Sequence, residues 1–302
     1  MTRFAATIGF FDGVHRGHRF LIECLRQEAS TRGLSSMVIT FARHPREVLC
    51  PDWKPQLLST PEEKEALLRS TGVDRIEVLP FDNAMAQLSA RDFMQDVLHQ
   101  ELGVKLLLTG YDNHFGHRER NARQAEGFAD YQRYGREMGI EVIGGEPLSE
   151  GGLRFSSSLV RRLLSAGDVE KAHDCLGYAY RLSGHVVHGR QIGRQIGFPT
   201  ANIRLDNPDK LVPLQGVYAV AVSLPESQTA PLPGVMNIGS RPTFGGHHVT
   251  LEAHIPGFQG DLYGQPIAVD FLHRLRDERH FDTAEALISQ MHDDIALARA
   301  LN

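Results

Sequence analysis

Two histidines three residues apart, His15 and His18, close the run GFFDGVHRGH (9–18), which follows a short apolar stretch and holds three glycines and an aspartate. That spacing puts both imidazoles on one side of a turn entering a helix. Free N–H groups and the positive end of the helix dipole suit an anion there, and glycine lets backbone approach it closely. Two imidazoles beside a polyphosphate could donate hydrogen bonds to oxygens that gain charge as a phosphoanhydride breaks. This is electrostatic stabilisation without a covalent intermediate. A zinc pair is the competing chemistry, but no third or fourth ligand stands at a characteristic spacing.

A second run, GRQIGRQIGFPTANI (189–203), has glycines at Gly189, Gly193 and Gly197 that would let a loop close over phosphates, with Pro199 fixing the turn before Thr200 and Asn202. A hydroxyl and an amide carbonyl are hard oxygen donors, suited to Mg²⁺ that keeps several waters and also binds ATP phosphates. The missing lysine separates the run from a Walker A sequence and from a protein-kinase loop. Further on, Val249, Leu251, Ala253 and Ile255 alternate as apolar residues, which offers Glu252 to the other face. A carboxylate there could accept the proton of an attacking hydroxyl.

The elements that must carry these groups change rhythm along the chain. Up to about residue 165, apolar strands alternate with amphipathic helices: strands at 4–8, 35–41, 75–81, 104–111 and 140–145, and helices after the histidine run and over 89–102 and 124–139. The first helix is expected to bury Phe20, Leu21, Cys24, Leu25 and Ala29. Strand–helix–strand repetition predicts a doubly wound parallel sheet with its ligand site beyond the carboxyl ends of the strands. After about residue 180 the period becomes two, with short strands at 216–224, 234–240, 249–255 and 265–275, which predicts a small antiparallel barrel. A terminal helix follows, with Asp282 as N-cap and Ala284, Leu287, Ile288, Met291, Ile295 and Ala298 as its buried stripe. The expected domains are 1–180 and 181–302.

The bulk properties fit two soluble domains with separate cores. The chain has 302 residues, 41% hydrophobic and 23% charged, with a net charge of -5 that argues against a general nucleic-acid binder. Three cysteines without CxxC spacing read as reduced thiols. No apolar run approaches the ~20 residues needed to cross a bilayer, and the N-terminus lacks a secretion signal. A cytoplasmic protein is expected; its oligomeric state stays open.

The ten-residue run resembles the HxGH signature of the nucleotidyltransferase superfamily, in the form G-x-F-D-G-x-H-x-G-H typical of the bifunctional riboflavin kinase/FMN adenylyltransferase (FAD synthetase) family. The resemblance implies that Gly9, Phe10, Asp12 and Gly17 handle nucleotide beside His15 and His18. TFARHPREV (40–48) resembles the family segment T-F-x-P-H-P, where Phe41 would line the flavin pocket while His44 and Pro45 shape the loop. GYDNHFGHRER (110–120) resembles its G-x-D-F-R-F-G-x-x-R loop, which implies a nucleotide role for Asp112 and a flavin role for Phe115. FSSSLVRRLL (155–164) resembles I-S-S-T-x-I-R-x-L-L, which implies that Ser157, Ser158 and Arg161 hold ATP phosphates. Arg43, His114 and Phe155 depart from the family pattern.

The glycine-rich run resembles the riboflavin kinase signature G-x-x-x-G-x-x-x-G-x-P-T-A-N. Next to it, Glu252 is implied as the base for the riboflavin 5′-hydroxyl, and RLRDERHF (274–281) implies Arg276 and Glu278 near the flavin. The implied activity is transfer of phosphate from ATP to riboflavin, giving FMN, then adenylylation of FMN by a second ATP, giving FAD and pyrophosphate. The partners are ATP, riboflavin and FMN, with Mg²⁺ as cofactor and neither nucleic acid nor membrane. Two other readings remain: a nucleotidyltransferase half with another acceptor, such as a nicotinamide or pantetheine nucleotide, and a flavin-binding protein that consumes no ATP.

Overall fold

The structure, a computed structural model, describes residues 3–50, 52–111, 115–116, 126–189, 191–224, 230–243 and 246–301. Contacts divide the chain into two compact units, Met1–Ser157 and Ser158–Asn302.

In the first unit β1 (Phe4–Ile8), β2 (Ser35–Phe41), β3 (Arg75–Leu79), β4 (Val104–Thr109) and β5 (Glu141–Gly144) form the expected parallel sheet, in the order β3-β2-β1-β4-β5. The strand order reverses between β1 and β4, the switch point beside which such sheets hold ligands. The strands are apolar on both faces because helices cover both. Phe4, Ala6, Ile8, Met37, Ile39 and Leu107 pack with Phe93, Met94, Leu98 and Tyr131, while Ala5, Leu106 and Leu108 meet α1 (Arg16–Thr31). The buried face of α1 is Ile22, Leu25 and Ala29; Phe20, expected inside, is 38% exposed because the helix presents its neighbouring stripe to the sheet.

Short helices α2 (Pro45–Leu49), α3 (Pro61–Arg69) and α4 (Asn83–Gln87) follow β2 and β3. The expected helix over 89–102 begins as one turn, α5 (Ala90–Asp92), capped by Ser89, then continues in π winding over Phe93–Glu101. The helix expected from 124 is α6 (Phe128–Met138), with Asp130 accepting from the Gly127 N–H at its start at 3.1 Å. A two-strand hairpin, β6 (Ser149–Glu150) and β7 (Leu153–Arg154), completes this unit.

The second unit opens with α7 (Ser157–Ser165) and α8 (Val169–Leu176). Six antiparallel strands then close a barrel: β8 (Tyr180–Val187), β9 (Thr200–Leu205), β10 (Gly216–Ser223), β11 (Leu232–Thr243), β12 (Gly246–His254) and β13 (Pro266–Arg276). The short α9 (Ile192–Gln195) lies between β8 and β9, and α10 (Ala284–Leu301) ends the chain. The structure adds β8 and β9 to the strands expected. Register sets one barrel face as core, since Tyr218 pairs with Met236, Met236 with Ala253 and Ala253 with Ala201. The N-cap of α10 is Thr283, whose hydroxyl accepts the Ala286 N–H at 3.2 Å, and not Asp282. Ala284 is exposed at the start of the helix, and Asp294 takes a buried place in the stripe.

The division at Ser157/Ser158 lies upstream of residue 180 because α7 and α8 pack with the barrel. The Glu170 carboxylate of α8 accepts the Arg274 N–H of β13 at 3.0 Å, and Leu164 of α7 accepts the Leu214 N–H at 3.0 Å.

Candidate functional site

In the first unit the histidine loop leaves β1 under strain. Phe11 (φ 55°) and Val14 (φ 35°) occupy the left-handed region, which a β-branched side chain rarely adopts. What holds them there is Asp12, 3% exposed, whose carboxylate accepts the N–H groups of Leu58 and Ser59 at 3.0 Å; Ser59 Oγ in turn accepts the Gly13 N–H at 2.9 Å. Asp12 therefore anchors the loop by its side chain, while its carbonyl accepts the Ser157 hydroxyl at 2.9 Å.

His15 caps α1: its Nδ1 accepts the His18 N–H at 3.4 Å, and the two rings stack with centroids 3.6 Å apart. Because Nδ1 accepts, the neutral ring carries its proton on Nε2, as a donor. Burial, reinforced by His15, holds the His18 pKa well below the usual histidine value, so its ring is neutral at pH 7. His18 Nδ1 is buried without a hydrogen-bond partner among the described residues. At Gly17 a Cβ would come within 3.1 Å of the His15 ring and 3.2 Å of the Phe155 carbonyl, so glycine keeps the helix entry open. Ser158, exposed, and Arg161, half-buried, belong to the second unit.

Beyond the carboxyl ends of β1 and β2 lies a cavity of about 610 Å³. Gly9, Phe10, Phe41, Phe115 and Gly116 line it together with Phe81, Met85 and Phe93, which sequence reasoning missed. Phe41 meets Phe81 edge-on at 5.3 Å, and Phe115 stacks on Tyr131 at 4.3 Å. Aromatic walls of this kind suit a flat, conjugated ligand. At Gly116 (φ 91°) a Cβ would stand 2.4 Å from the Ala90 nitrogen, so the loop lies directly on α5. His44 caps α2 by accepting the Arg46 N–H at 3.1 Å, and its ring packs against Phe10. Arg43 is exposed; Asp112 and His114 lie outside the described residues.

In the second unit the barrel register gathers the other set. Opposite residues in an antiparallel pair share a face. Asn202 and Asn237 both pair with Glu252, and Thr200 pairs with His254, so all five stand on the face turned away from the barrel core. Thr200 Oγ1 donates to Glu252 Oε2 at 3.4 Å. At Gly189 a Cβ would fall 2.2–2.5 Å from the Asn202 side-chain atoms, so glycine leaves that amide its room. Gly193 is in the same position toward the Phe198 carbonyl at 2.3 Å, and Gly197 has φ 87°. Hydroxyl and amide oxygens two residues apart on one strand, beside a carboxylate, suit a hard cation that retains water, and Mg²⁺ fits them.

This face opens into a cavity of about 380 Å³ bordered by α10, lined by Thr200, Glu252, Asn237, Val217, Phe281, Leu287, Met291 and Ile295 among others. Arg276 and Glu278 also line it. The Arg276 guanidinium binds both carboxylate oxygens of Asp294 on α10, at 3.0 and 2.8 Å, and stands 5.7 Å above the Phe281 ring. The Glu278 carboxylate lies over β11, where a Cβ at Gly239 would be 2.7 Å from its Oε1. The α10 stripe was legible as periodicity; Asp294 carried no signal, because a carboxylate in a helix ordinarily faces water.

A family model described as FAD synthetase matches residues 1–159, and one described as riboflavin kinase matches residues 176–302. The chain is 40% identical over 294 residues to a bifunctional riboflavin kinase/FMN adenylyltransferase of Escherichia coli (strain K12), covering 97% of this chain and 91% of that protein. The protein of that description in Pseudomonas fluorescens is 40% identical over 297 residues (98% and 92%), and that of Bacillus subtilis 34% over 296 residues (95% and 89%). A crystal structure from Streptococcus pneumoniae described as a macrolide-efflux protein is similar at TM-score 0.88 and 30% identity, covering 99% of this chain and 95% of that one. Among the described residues here no helix is long and apolar enough to cross a membrane. With both halves matched and relatives similar along nearly its whole length, the chain belongs to the bifunctional riboflavin kinase/FMN adenylyltransferase family.

Proposed function

We propose that the chain is a cytoplasmic enzyme whose second unit phosphorylates riboflavin and whose first unit adenylylates the resulting FMN, with residues 1–180 and 181–302 as the functional domains. The observation that carries the reading is the register of β9, β12 and β11, which puts Thr200, Asn202, Asn237 and Glu252 on one face, with Thr200, Asn237 and Glu252 lining a largely apolar cavity. Glu252 accepts the proton of the riboflavin 5′-hydroxyl, whose oxygen forms a bond to the γ-phosphorus of ATP as ADP leaves. Thr200 and Asn202 would hold Mg²⁺, which when bound neutralises charge on the ATP phosphates. Gly189, Gly193 and Gly197 let their loop lie against those phosphates. Arg276, through Asp294, and Glu278 shape the flavin side.

In the first unit an FMN phosphate oxygen forms a bond to the α-phosphorus of a second ATP, the α–β anhydride bond breaks, and pyrophosphate leaves. His15, through its Nε2–H, and His18 donate to the oxygens that gain charge. Gly9, Phe10 and Gly17 give the nucleotide access, while Asp12 keeps the loop in its strained form. The family resemblance assigns Asp112, Ser157, Ser158 and Arg161 to the nucleotide, and Phe41 and Phe115 border the flavin.

The test separates the two reactions. Flavin products are resolved by chromatography after incubation with ATP, Mg²⁺ and either riboflavin or FMN. His15→Ala should lower FAD formation about 10²-fold, the scale of losing one oxyanion-type donor, with FMN formation near normal. Glu252→Gln should lower FMN formation about 10²-fold or more, as expected on removal of a general base, and spare adenylylation of added FMN. Equal loss of both activities in either variant would overturn the division of labour.

A further inference from the structure

We infer that Lys64 is a positioning residue of the adenylyltransferase unit, an ammonium inside the protein that sets the separation of two walls of the flavin cavity. The inference rests on the reading of the 610 Å³ cavity as the FMN site. Lys64 lies on α3 and is 5% exposed, an unusual place for a lysine. Its Nζ donates to the Phe41 carbonyl at 2.9 Å and stands 4.0 Å from the centroid of the Phe10 ring. Phe41 ends β2 and Phe10 belongs to the histidine loop, and both side chains line the cavity, whereas Lys64 stands behind them and does not line it. One cation thus ties a strand end, through its carbonyl, to a loop, through the face of a ring.

The surroundings explain why a charge is tolerated there. The segment leading into α3 is already fastened to the same loop through Asp12, whose carboxylate accepts from Leu58 and Ser59 and lies close enough to favour the charged ammonium. The His44 ring meets Phe10 edge-on, 4.6 Å away, and Glu63, beside Lys64, is turned to the Thr60 N–H at 3.0 Å. Burial outweighs the help from Asp12 and brings the Lys64 pKa down to about 8. A methionine would fill similar space but make neither the hydrogen bond nor the cation–ring contact.

The experiment measures kcat and KM for FMN in FAD formation by the full chain, at saturating ATP and Mg²⁺, from pH 7 to about 9.5, with riboflavin phosphorylation as the internal check on folding. Lys64→Met should raise KM for FMN about tenfold at pH 7, equivalent to about 1.4 kcal/mol, with kcat within about threefold and riboflavin phosphorylation unchanged. In the wild type KM should climb through about pH 8 toward the Lys64→Met value. Lys64→Arg, which keeps its charge throughout, should lack that climb, and Lys64→Met should be high and flat. A Lys64→Met enzyme with wild-type KM and the wild-type pH profile would overturn the inference. If Lys64→Met does not fold, the comparison passes to Lys64→Arg, and a climb shared by wild type and Lys64→Arg would overturn it equally. Failure of the wild type itself to make FAD from FMN and ATP would instead overturn the reading of the cavity.

Discussion

At the scale of single residues, the side chains named for chemistry divide into those that face a site and those that hold it. His15 and His18 stand together at a helix entry, but Asp12 of the same run spends its carboxylate on the N–H groups of Leu58 and Ser59. Sequence reasoning could not tell these apart, because residues 58 and 59 are 46 and 47 positions away from Asp12. His18 also links the site to stability. Its folded pKa lies well below the 6.5 of a free histidine, so between the two values the unfolded chain binds a proton that the folded chain refuses. Stability contributed above pH 6.5 is therefore lost as pH falls toward the folded value. The urea midpoint of the first unit should drop between pH 7.5 and 5, and His18→Gln should show a shallower drop; parallel curves would mean that His18 is not responsible.

At the scale of elements, the glycine-rich run and β9 form one device: the run gives up side chains so that those of β9 have space. Gly189→Ala would drive a methyl to within 2.2 Å of the Asn202 side chain. Riboflavin phosphorylation should fall at least about tenfold, since small displacements of positioning groups carry large rate losses, with FMN adenylylation intact. Wild-type phosphorylation in this variant would show that Asn202 has no part in it. The alternation of strands and helices, the antiparallel barrel and the apolar stripe of α10 were all legible as periodicity. The strand β8 and the opening of β9 were less so, because the loop between them dominates that stretch of sequence. The π winding after Ser89, the cap at Thr283 in place of Asp282, and the Asp294 partner of Arg276 depend on tertiary packing that periodicity does not encode.

At the scale of the whole molecule, the compact units divide before α7, while the family models leave residues 160–175 between them. Val160, Leu164, Val169, Ala172 and Leu176 are buried on α7 and α8. A fragment of residues 158–302 should consequently be more stable to urea than one of residues 181–302, by at least about 2 kcal/mol, on the scale of burying one or two such side chains. Equal midpoints would place the working boundary at 180, as the change of sequence rhythm suggests. That change is visible in the sequence as a shift of apolar period, from strand–helix alternation before about residue 165 to period two after about residue 180. Residues 166–180 carry neither rhythm clearly, and in the structure α8 packs against β13 and β8.

Each unit has a hydrophobic core of its own, and this has a genetic consequence. Lesions in the two halves should complement in trans. An equimolar mixture of the His15→Ala and Glu252→Gln proteins should turn riboflavin into FAD after a lag, as FMN released by the first is taken up by the second. A mixture that stops at FMN would mean that the intermediate never passes between molecules. In a heterozygous population, the two defects would then count as one gene; with free passage, they behave as two.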